Sequence, residues 1–170
     1  MITQQHSLPL MVWLSPSFPV GAFAFSHGLE WAVEAGDVYD LATACLWLED
    51  LLQQGSGHTD MISIALVYKA ANINDHDMLR DLTELVVAMQ PSMERRLETL
   101  MQGQAFAAAI KTAWTRPRFS EWCEICGADL PYPIAFGLAC AAHDVPLPAV
   151  LRSYALAFVS NLVSAAIRLG

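Results

Sequence analysis

The chain has 170 residues, of which 55% are hydrophobic and only 15% charged, and its formal net charge is −8. This length fits one domain, which would bury roughly two-thirds of the surface of its unfolded chain. Its nine lysines and arginines form no basic stripe, which argues against a nucleic-acid-binding protein and favours partners with basic patches.

The high hydrophobic fraction raises the question of a membrane span. One arginine and four polar side chains interrupt the strongest candidate, residues 150–167: Arg152, Ser153, Ser160, Asn161 and Ser164. A span needs about 20 mostly apolar residues, so we favour a helix buried in a core or a subunit interface over membrane contact. The chain opens without a secretory signal pattern, and its four cysteines are typical of free thiols in a reducing compartment. We therefore expect a cytoplasmic protein.

Residues 14–37 are the most distinctive segment, with the sequence LSPSFPVGAFAFSHGLEWAVEAGD. Pro16, Pro19 and Gly21 interrupt regular structure, and from Ala22 onward apolar residues recur at helical spacing. Aromatic side chains on a stiff turn that leads into a helix are typical of a docking element. We therefore predict a partner-docking segment at about 14–37.

The middle of the chain predicts four helical segments. Asp37 is the predicted N-cap of the first, Asp60 begins the second, and Asn74 or Asp75 caps the third. Residues 91–92 precede the longest predicted helix, which runs from 93 to about 113. Its apolar side is predicted to be Met93, Leu97, Leu100, Met101 and Ala108.

The last third of the chain predicts three more helices. A short one covers 120–126, a second runs from about 131 through 142, and the final one covers about 149–169 after two prolines. No window alternates with period two. We therefore predict an all-α fold, a single-domain antiparallel helical bundle over 1–170. So apolar a chain would be hard to keep soluble as a monomer, which predicts a homodimer or an obligate complex.

Candidate metal ligands are sparse. Cys123 and Cys126 have the C-x₂-C spacing of half a zinc site, but no second pair stands nearby. We interpret them as incidental thiols, with weak metal contact and redox chemistry as alternatives. The five histidines are scattered, and His27 is of interest because it lies inside the docking segment.

Enzymatic chemistry has little support in the sequence. Ser26 sits in a loose likeness of a nucleophile elbow, but that elbow requires a strand. Glu30 and Glu34 share one helix face and would bind a partner's cation, serve as a general base, or simply be solvated. No phosphate-binding Gly-x₄-Gly-Lys motif exists. The residues alone favour a helical interaction protein without a catalytic centre.

Three collinear blocks of sequence resemble a known family. They are Pro16, PVGAF, Ser26, GLE and VEAG in 16–36; RLET and QGQAF in 96–106; and Pro133, AFG, Ala139, Tyr154, SNLV, AA and IRL in 133–169. By these motifs the chain resembles the UreF family of urease accessory proteins over nearly its whole length. Phe25 and His27 stand where that family often has tyrosine and glutamine. Members usually continue beyond 170, so we expect the family's C-terminal tail to be absent here.

The resemblance implies a function. Proteins of this family help to mature urease, whose active site needs nickel and a carbamylated lysine. They bridge the accessory protein UreD, also called UreH, and the GTPase UreG on apo-urease, and they couple the GTPase cycle to nickel delivery. The resemblance implies a non-catalytic scaffold that binds no cofactor itself, because its partners handle nickel and GTP. A nickel-holding metallochaperone that uses Cys123, Cys126 and histidines is the alternative.

The resemblance also places the partner-binding surface. Gly28 and Gly103 are expected to permit close helix approach. The residues carried over as partner-binding are Phe25, Ser26, His27, Gly28, Glu30, Arg96, Glu98, Tyr154, Asn161 and Arg168.

Overall fold

In the computed structural model the described residues are 4–21 and 26–169, and within these ranges the chain is helical and contains no strand. The helices are α1 Gln4–Trp13, α2 Leu29–Ala35, α3 Leu41–Gln53, α4 Ser56–Asn72, α5 His76–Ala88, α6 Met93–Ala113, α7 Pro117–Cys126, α8 Tyr132–Ala142 and α9 Leu147–Leu169. The predicted all-α class is confirmed. Helix α1 was not predicted, because Pro9 lies within it and its apolar residues follow no clear helical stripe.

Helix α8 forms the centre of the fold. All of residues 133–142 are buried, and α4, α6 and α7 pack around them. Small side chains allow this enclosure: a Cβ added at Gly137 would lie 2.4 Å from Val67 Cγ1 and 3.1 Å from the Ile64 carbonyl oxygen. Helix α4 therefore approaches α8 more closely than any larger residue at this position would permit.

A second, smaller core lies at one end of the molecule. Leu29 and Ala32 of α2, Val38 of the following loop and Ala165 of α9 form it. Helix α3 packs on this side too, yet none of its thirteen residues is fully buried although nine are apolar. The α2–α3 pair therefore leaves much of its apolar surface open.

Side-chain caps fix the starts of three of the predicted helices. Asp75, one of the two residues predicted for this cap, caps α5, and Ser92, of the pair predicted to precede α6, caps that helix; each accepts a backbone N–H from three residues later. Asp40 rather than Asp37 caps α3: its Oδ1 accepts from Thr43 N at 2.8 Å. Asp37 is the wrong residue because its own N–H still closes the end of α2, donating to the Ala32 carbonyl oxygen at 2.9 Å.

The starts and lengths of two further helices differ from prediction. Helix α4 begins at Ser56, not at Asp60, because its first turn packs closely on α9. A Cβ added at Gly57 would lie 3.1 Å from the Phe158 ring, and this packing outweighs the low helix propensity of glycine. Helix α9, with 23 residues, is longer than α6, with 21.

The predicted apolar side of α6 faces solvent rather than the core. Met93, Leu97 and Met101 are 75%, 55% and 67% exposed. The buried side is more polar than the pattern suggested, and its members are Glu98, Thr99, Gln102, Gly103, Phe106, Ala107 and Ile110. Hydrogen bonds among the polar members make their burial possible, and the apolar stripe faces solvent.

Helix α9 was predicted to be buried, and the structure buries one side of it. Its inward stripe includes Val150, Tyr154, Phe158 and Leu162, whereas Leu156 and Ile167 are 69% and 75% exposed. Among the described residues, it alone is long and apolar enough to cross a membrane. Length and composition by themselves do not distinguish such a span from a helix that packs on other protein.

Candidate functional site: a cleft beside the N-terminal motif

A cleft of about 500 Å³ opens between α1, α6, α9 and the turn that follows α1. Met11 and Leu156, from α1 and α9, contribute apolar lining residues. Most of its lining is apolar, and the ionisable or hydrogen-bonding side chains that line it include His27, Asp60, Arg95, Glu98, Gln102 and Tyr154. A concave, mostly apolar site with a few convergent polar groups is the usual form of a binding site.

Asp60 of α4 and Tyr154 of α9 meet in the cleft. The Tyr154 hydroxyl donates to Asp60 Oδ2 at 2.8 Å. Burial raises the pKa of Asp60 to about 6, although the bond from Tyr154 and the nearby Arg95 oppose the shift. Burial also raises the pKa of Tyr154 well above its usual value. The pair therefore places a carboxyl that is easily protonated between two helices.

Helix α6 supplies a second hydrogen-bonded group. Arg95 forms an ion pair with Glu98, and Gln102 Nε2 donates to Glu98 Oε1 at 3.2 Å. Burial raises the pKa of Glu98, and these two partners hold it down. Glu98 is only 7% exposed. Removal of Arg95 would therefore leave a buried carboxylate without its cation, which would destabilise α6.

His27 closes the cleft beside the N-terminal motif. Its backbone is left-handed, with φ at 51°, its Nδ1 lies 3.0 Å from Ser56 Oγ, and its ring lies 4.8 Å from that of Phe158. Burial, followed by the charge of Arg95, lowers the pKa of His27 to about 4. The imidazole is therefore neutral near pH 7 and is a weak base.

The two motif glycines serve different purposes. Gly28 has φ at 82° and forms the N-cap of α2, while a Cβ there would meet only Trp47 at an ordinary 3.7 Å. Its predicted role in close approach is therefore wrong, since it is the left-handed backbone that favours glycine. At Gly103 a Cβ would lie 2.0 Å from the Leu130 carbonyl oxygen. Gly103 does permit close approach, to the loop before α8.

The structure brings four of the predicted partner-binding residues to one place. His27, Glu98, Tyr154 and Asn161 all line the cleft. These four residues are buried or partly buried, so they contribute to the packing around the cleft as well as to its lining.

The other predicted partner-binding residues lie outside the cleft lining or outside the described residues. Ser26 is half-buried, Gly28, Glu30 and Arg168 are exposed, and Arg96 pairs with Asp129 at 3.5 Å. Phe25 lies outside the described residues.

Asp60 and Arg95 are the site residues that sequence reasoning missed. A signal for Asp60 did exist: it is the single acid at the head of the apolar run MISIALV. Arg95 was hidden by neighbouring charges, because Glu94, Arg96 and Glu98 made it resemble an ordinary solvated helix surface.

The C-x₂-C pair lies on α7, away from this cleft. Cys123 is buried, and burial raises the pKa of its thiol to about 12. Cys126 donates its S–H to the Leu79 carbonyl oxygen at 3.8 Å. Within 4–21 and 26–169, no three histidine, cysteine or acidic side chains are grouped so that they would hold a metal ion. Metal binding requires the thiolate, which this environment disfavours.

Comparison with known proteins decides the family. The sequence model of the UreF family matches residues 38–170. A urease accessory protein UreF of Rhodopseudomonas palustris strain BisA53 is 51% identical over 160 residues, which are 94% of this chain and 67% of that protein. A urease accessory protein UreF of Methylorubrum populi is 49% identical over 95% of this chain and 72% of its own length. One of Xanthobacter autotrophicus is 47% identical.

The chain belongs to the UreF family of urease accessory proteins. The family match begins at residue 38, so it contains two of the three blocks that carried the resemblance, and the block at 16–36 lies before it. The alignments with individual UreF proteins cover nearly the entire chain. Membership implies a role in urease maturation. The cleft is therefore a feature of a UreF protein that works with urease-maturation partners.

Proposed function

We propose that this UreF protein is a non-catalytic scaffold that bridges UreD/UreH and the UreG GTPase on apo-urease during nickel insertion. It acts in the cytoplasm, without nucleic acid or membrane, and its partners rather than the chain itself handle nickel and GTP. The scaffold holds its partners in one complex, so that the GTPase cycle is coupled to metal delivery.

The observation that carries the proposal is the large apolar surface on a member of an accessory-protein family. Twenty large hydrophobic side chains are exposed among the described residues. A monomer seldom leaves contiguous apolar patches larger than a few hundred Å² in water. Seven of these side chains lie on two surfaces, the outward stripe of α6 and the outer side of α2, α3 and their connection. Surfaces of this kind suit protein partners more than a small substrate.

Reconstitution tests the proposal. Apo-urease, UreD/UreH, UreG, GTP, bicarbonate and Ni²⁺ are mixed with and without this chain, and urease activity and complex assembly are measured together. We expect UreG to join the apo-urease complex, and activity to appear, only when the chain is present. Equal assembly of UreD/UreH and UreG on apo-urease without the chain would rule out bridging.

We also propose that two copies associate through the outward stripe of α6. Met93, Leu97 and Met101 recur at four-residue spacing on one side of the helix, which suits packing against a second helix. The exposed α6 charges nearby have both signs, from Glu94 and Arg96. Two copies related by a two-fold axis can therefore pair opposite charges.

Among the residues that the structure describes, no group of side chains supports the metallochaperone alternative. Titration calorimetry with Ni²⁺ on the wild type and on Cys123→Ser/Cys126→Ser tests it directly. Because Cys123 is a buried thiol, we expect the two proteins to give the same heats. Tight stoichiometric binding that disappears in the double variant would establish the chain as a nickel carrier.

A further inference from the structure

The outer side of α2 and α3 is an unpartnered apolar surface. Four large side chains on it are more exposed than buried: Trp31 at 66%, Tyr39 at 76%, Leu41 at 81% and Leu46 at 61%. Helices α2 and α3 pack on the small core around Leu29 and Ala165, so these side chains point away from the only cover that the described residues provide. We call this surface, residues 30–50 of α2, α3 and their connection, the α2–α3 face.

The charge of the α2–α3 face has one sign only. Residues 1–68 contain seven acidic residues and neither lysine nor arginine, whereas the rest of the chain holds ten acidic and nine basic residues. Nearly all of the net charge of −8 therefore comes from residues 1–68, and residues 30–50 alone hold six acids and no lysine or arginine. Six of the seven acids are exposed and lie on or beside the face: Glu30, Glu34, Asp37, Asp40, Glu49 and Asp50.

The negative charge of the α2–α3 face favours one class of binding partner over the others. A second copy on the same face would bring two sets of carboxylates together, which is unfavourable. Nucleic acid and anionic membrane surfaces are repelled for the same reason. A cationic protein segment is attracted, because its lysines and arginines reach the carboxylates while its apolar side chains cover the exposed aromatic and aliphatic ones.

We propose that the α2–α3 face docks a lysine- or arginine-rich amphipathic segment of a urease-maturation partner. The aromatic and leucine side chains supply the desolvated centre of the contact, and the carboxylates form a rim that speeds and orients association. The proposal deepens the scaffold function and rests on it for the identity of the partners.

The test uses purified UreD/UreH, UreG and apo-urease as separate probes. Their affinities for the wild type are measured by calorimetry from 50 to 500 mM NaCl. The face variant is Glu30→Gln/Glu34→Gln/Glu49→Gln/Asp50→Asn, which leaves the α3 cap Asp40 intact. The matched control removes four exposed acids elsewhere: Asp81→Asn/Glu84→Gln/Glu121→Gln/Glu124→Gln.

We expect one partner to bind the face variant about tenfold more weakly at low salt, with a flatter salt dependence, while the control changes less than twofold. Trp31→Ala is expected to weaken the same partner about tenfold or more at every salt concentration. Helicity measured by circular dichroism checks that each variant is folded.

The remaining outcomes overturn the proposal in distinguishable ways. If partners bind the wild type and the face variant equally, the α2–α3 face is not the docking surface, and the scaffold function stands. If no partner binds the wild type, both proposals fail. If the face variant changes only self-association, measured by sedimentation, the face belongs to a second copy and the proposal is wrong.

Discussion

At the scale of single residues, the cleft holds two groups whose pKa values move in opposite directions. Asp60 has its pKa raised from 3.8 to about 6, so the folded state holds this proton more tightly and stability falls as the pH rises. His27 has its pKa lowered from 6.5 to about 4, so the folded state holds that proton less tightly and stability falls as the pH drops. Between pH 5 and 6 the two effects largely offset each other.

Replacing Asp60 and His27 separately should reveal the pH dependence of the free energy of unfolding that each contributes. Relative to the wild type, Asp60→Asn is expected to gain stability as the pH rises from 5 to 7, and His27→Asn to gain as it falls. Each change should be about 1 kcal/mol per pH unit at its steepest. Asparagine suits position 27 because it tolerates a left-handed backbone.

Urea unfolding at several pH values measures these slopes. Each variant has its own fixed offset from lost hydrogen bonds, so only the pH dependence of the difference from wild type is diagnostic. Slopes of the same sign for the two variants would contradict the assignment.

Some of the residues that line the cleft could be predicted from the sequence. His27, Glu98, Tyr154 and Asn161 were selected from family motifs, and they meet in one cleft. Their contacts could not be read from the sequence: Tyr154 and Asp60 are 94 positions apart. Only the packing of α4 against α9 makes them a pair.

At the scale of elements, the sequence narrowed the cap of α5 to two residues and predicted where α6 begins, but it misplaced the cap of α3. Asp40 accepts from Thr43 N, and Thr43 Oγ1 accepts from Asp40 N, which completes a capping box. Asp37 is a poor alternative because Gly36 ends the preceding helix. Local capping chemistry was read correctly, but the choice between two acids three residues apart depends on where α2 stops.

A pair of substitutions tests this cap. Asp40→Ala is expected to lower the urea midpoint at pH 7, because two first-turn hydrogen bonds are lost. Asp37→Ala, with the same charge change, should leave it nearly unchanged. Hydrogen bonding to Thr43 lowers the pKa of Asp40, so the difference should shrink as the pH falls below about 4. If both variants lowered the urea midpoint equally, the assignment of Asp40 as the cap of α3 would be contradicted.

Close packing at Gly103 gives a second prediction at this scale. In Gly103→Ala the new Cβ meets backbone atoms of residues 130–132 at 2.0–2.8 Å. In Gly137→Ala it meets chiefly the Val67 side chain. Because a side chain yields more easily than backbone, we expect Gly103→Ala to cost about 3 kcal/mol and Gly137→Ala less.

Denaturant unfolding measures both costs, with Gln104→Ala as the exposed control on α6. Adding Val67→Ala should relieve part of the cost of Gly137→Ala but none of the cost of Gly103→Ala. A larger cost at Gly137 than at Gly103 would show that the loop before α8 yields more readily than α4.

At the scale of the whole molecule, its exposed apolar surface and its uneven charge determine how it assembles. The stripe on α6 has charges of both signs nearby, whereas the α2–α3 face has negative charge only. The first suits a second copy, and the second suits a cationic partner. The two surfaces can therefore be disrupted independently.

Leu97→Glu tests the first surface. A carboxylate in the middle of the α6 stripe is expected to weaken self-association at least tenfold without loss of helicity, since Leu97 is 55% exposed in the single chain. Sedimentation equilibrium measures it, and Leu41→Glu on the α2–α3 face is the control that should leave it unchanged. Unaltered association of the Leu97 variant would place the contact elsewhere.

The sequence by itself determined the helical class, most helix boundaries and the family, because these depend on local spacing, caps and motif wording. The tertiary structure decided which side of each helix is inside. On α6 it buried Glu98 and Gln102, whose hydrogen bonds compensate their burial, and left Met93, Leu97 and Met101 outward. Helical periodicity shows which residues share one side of a helix. Whether that side is buried depends on packing against segments that are distant in the sequence, and no local pattern encodes this packing.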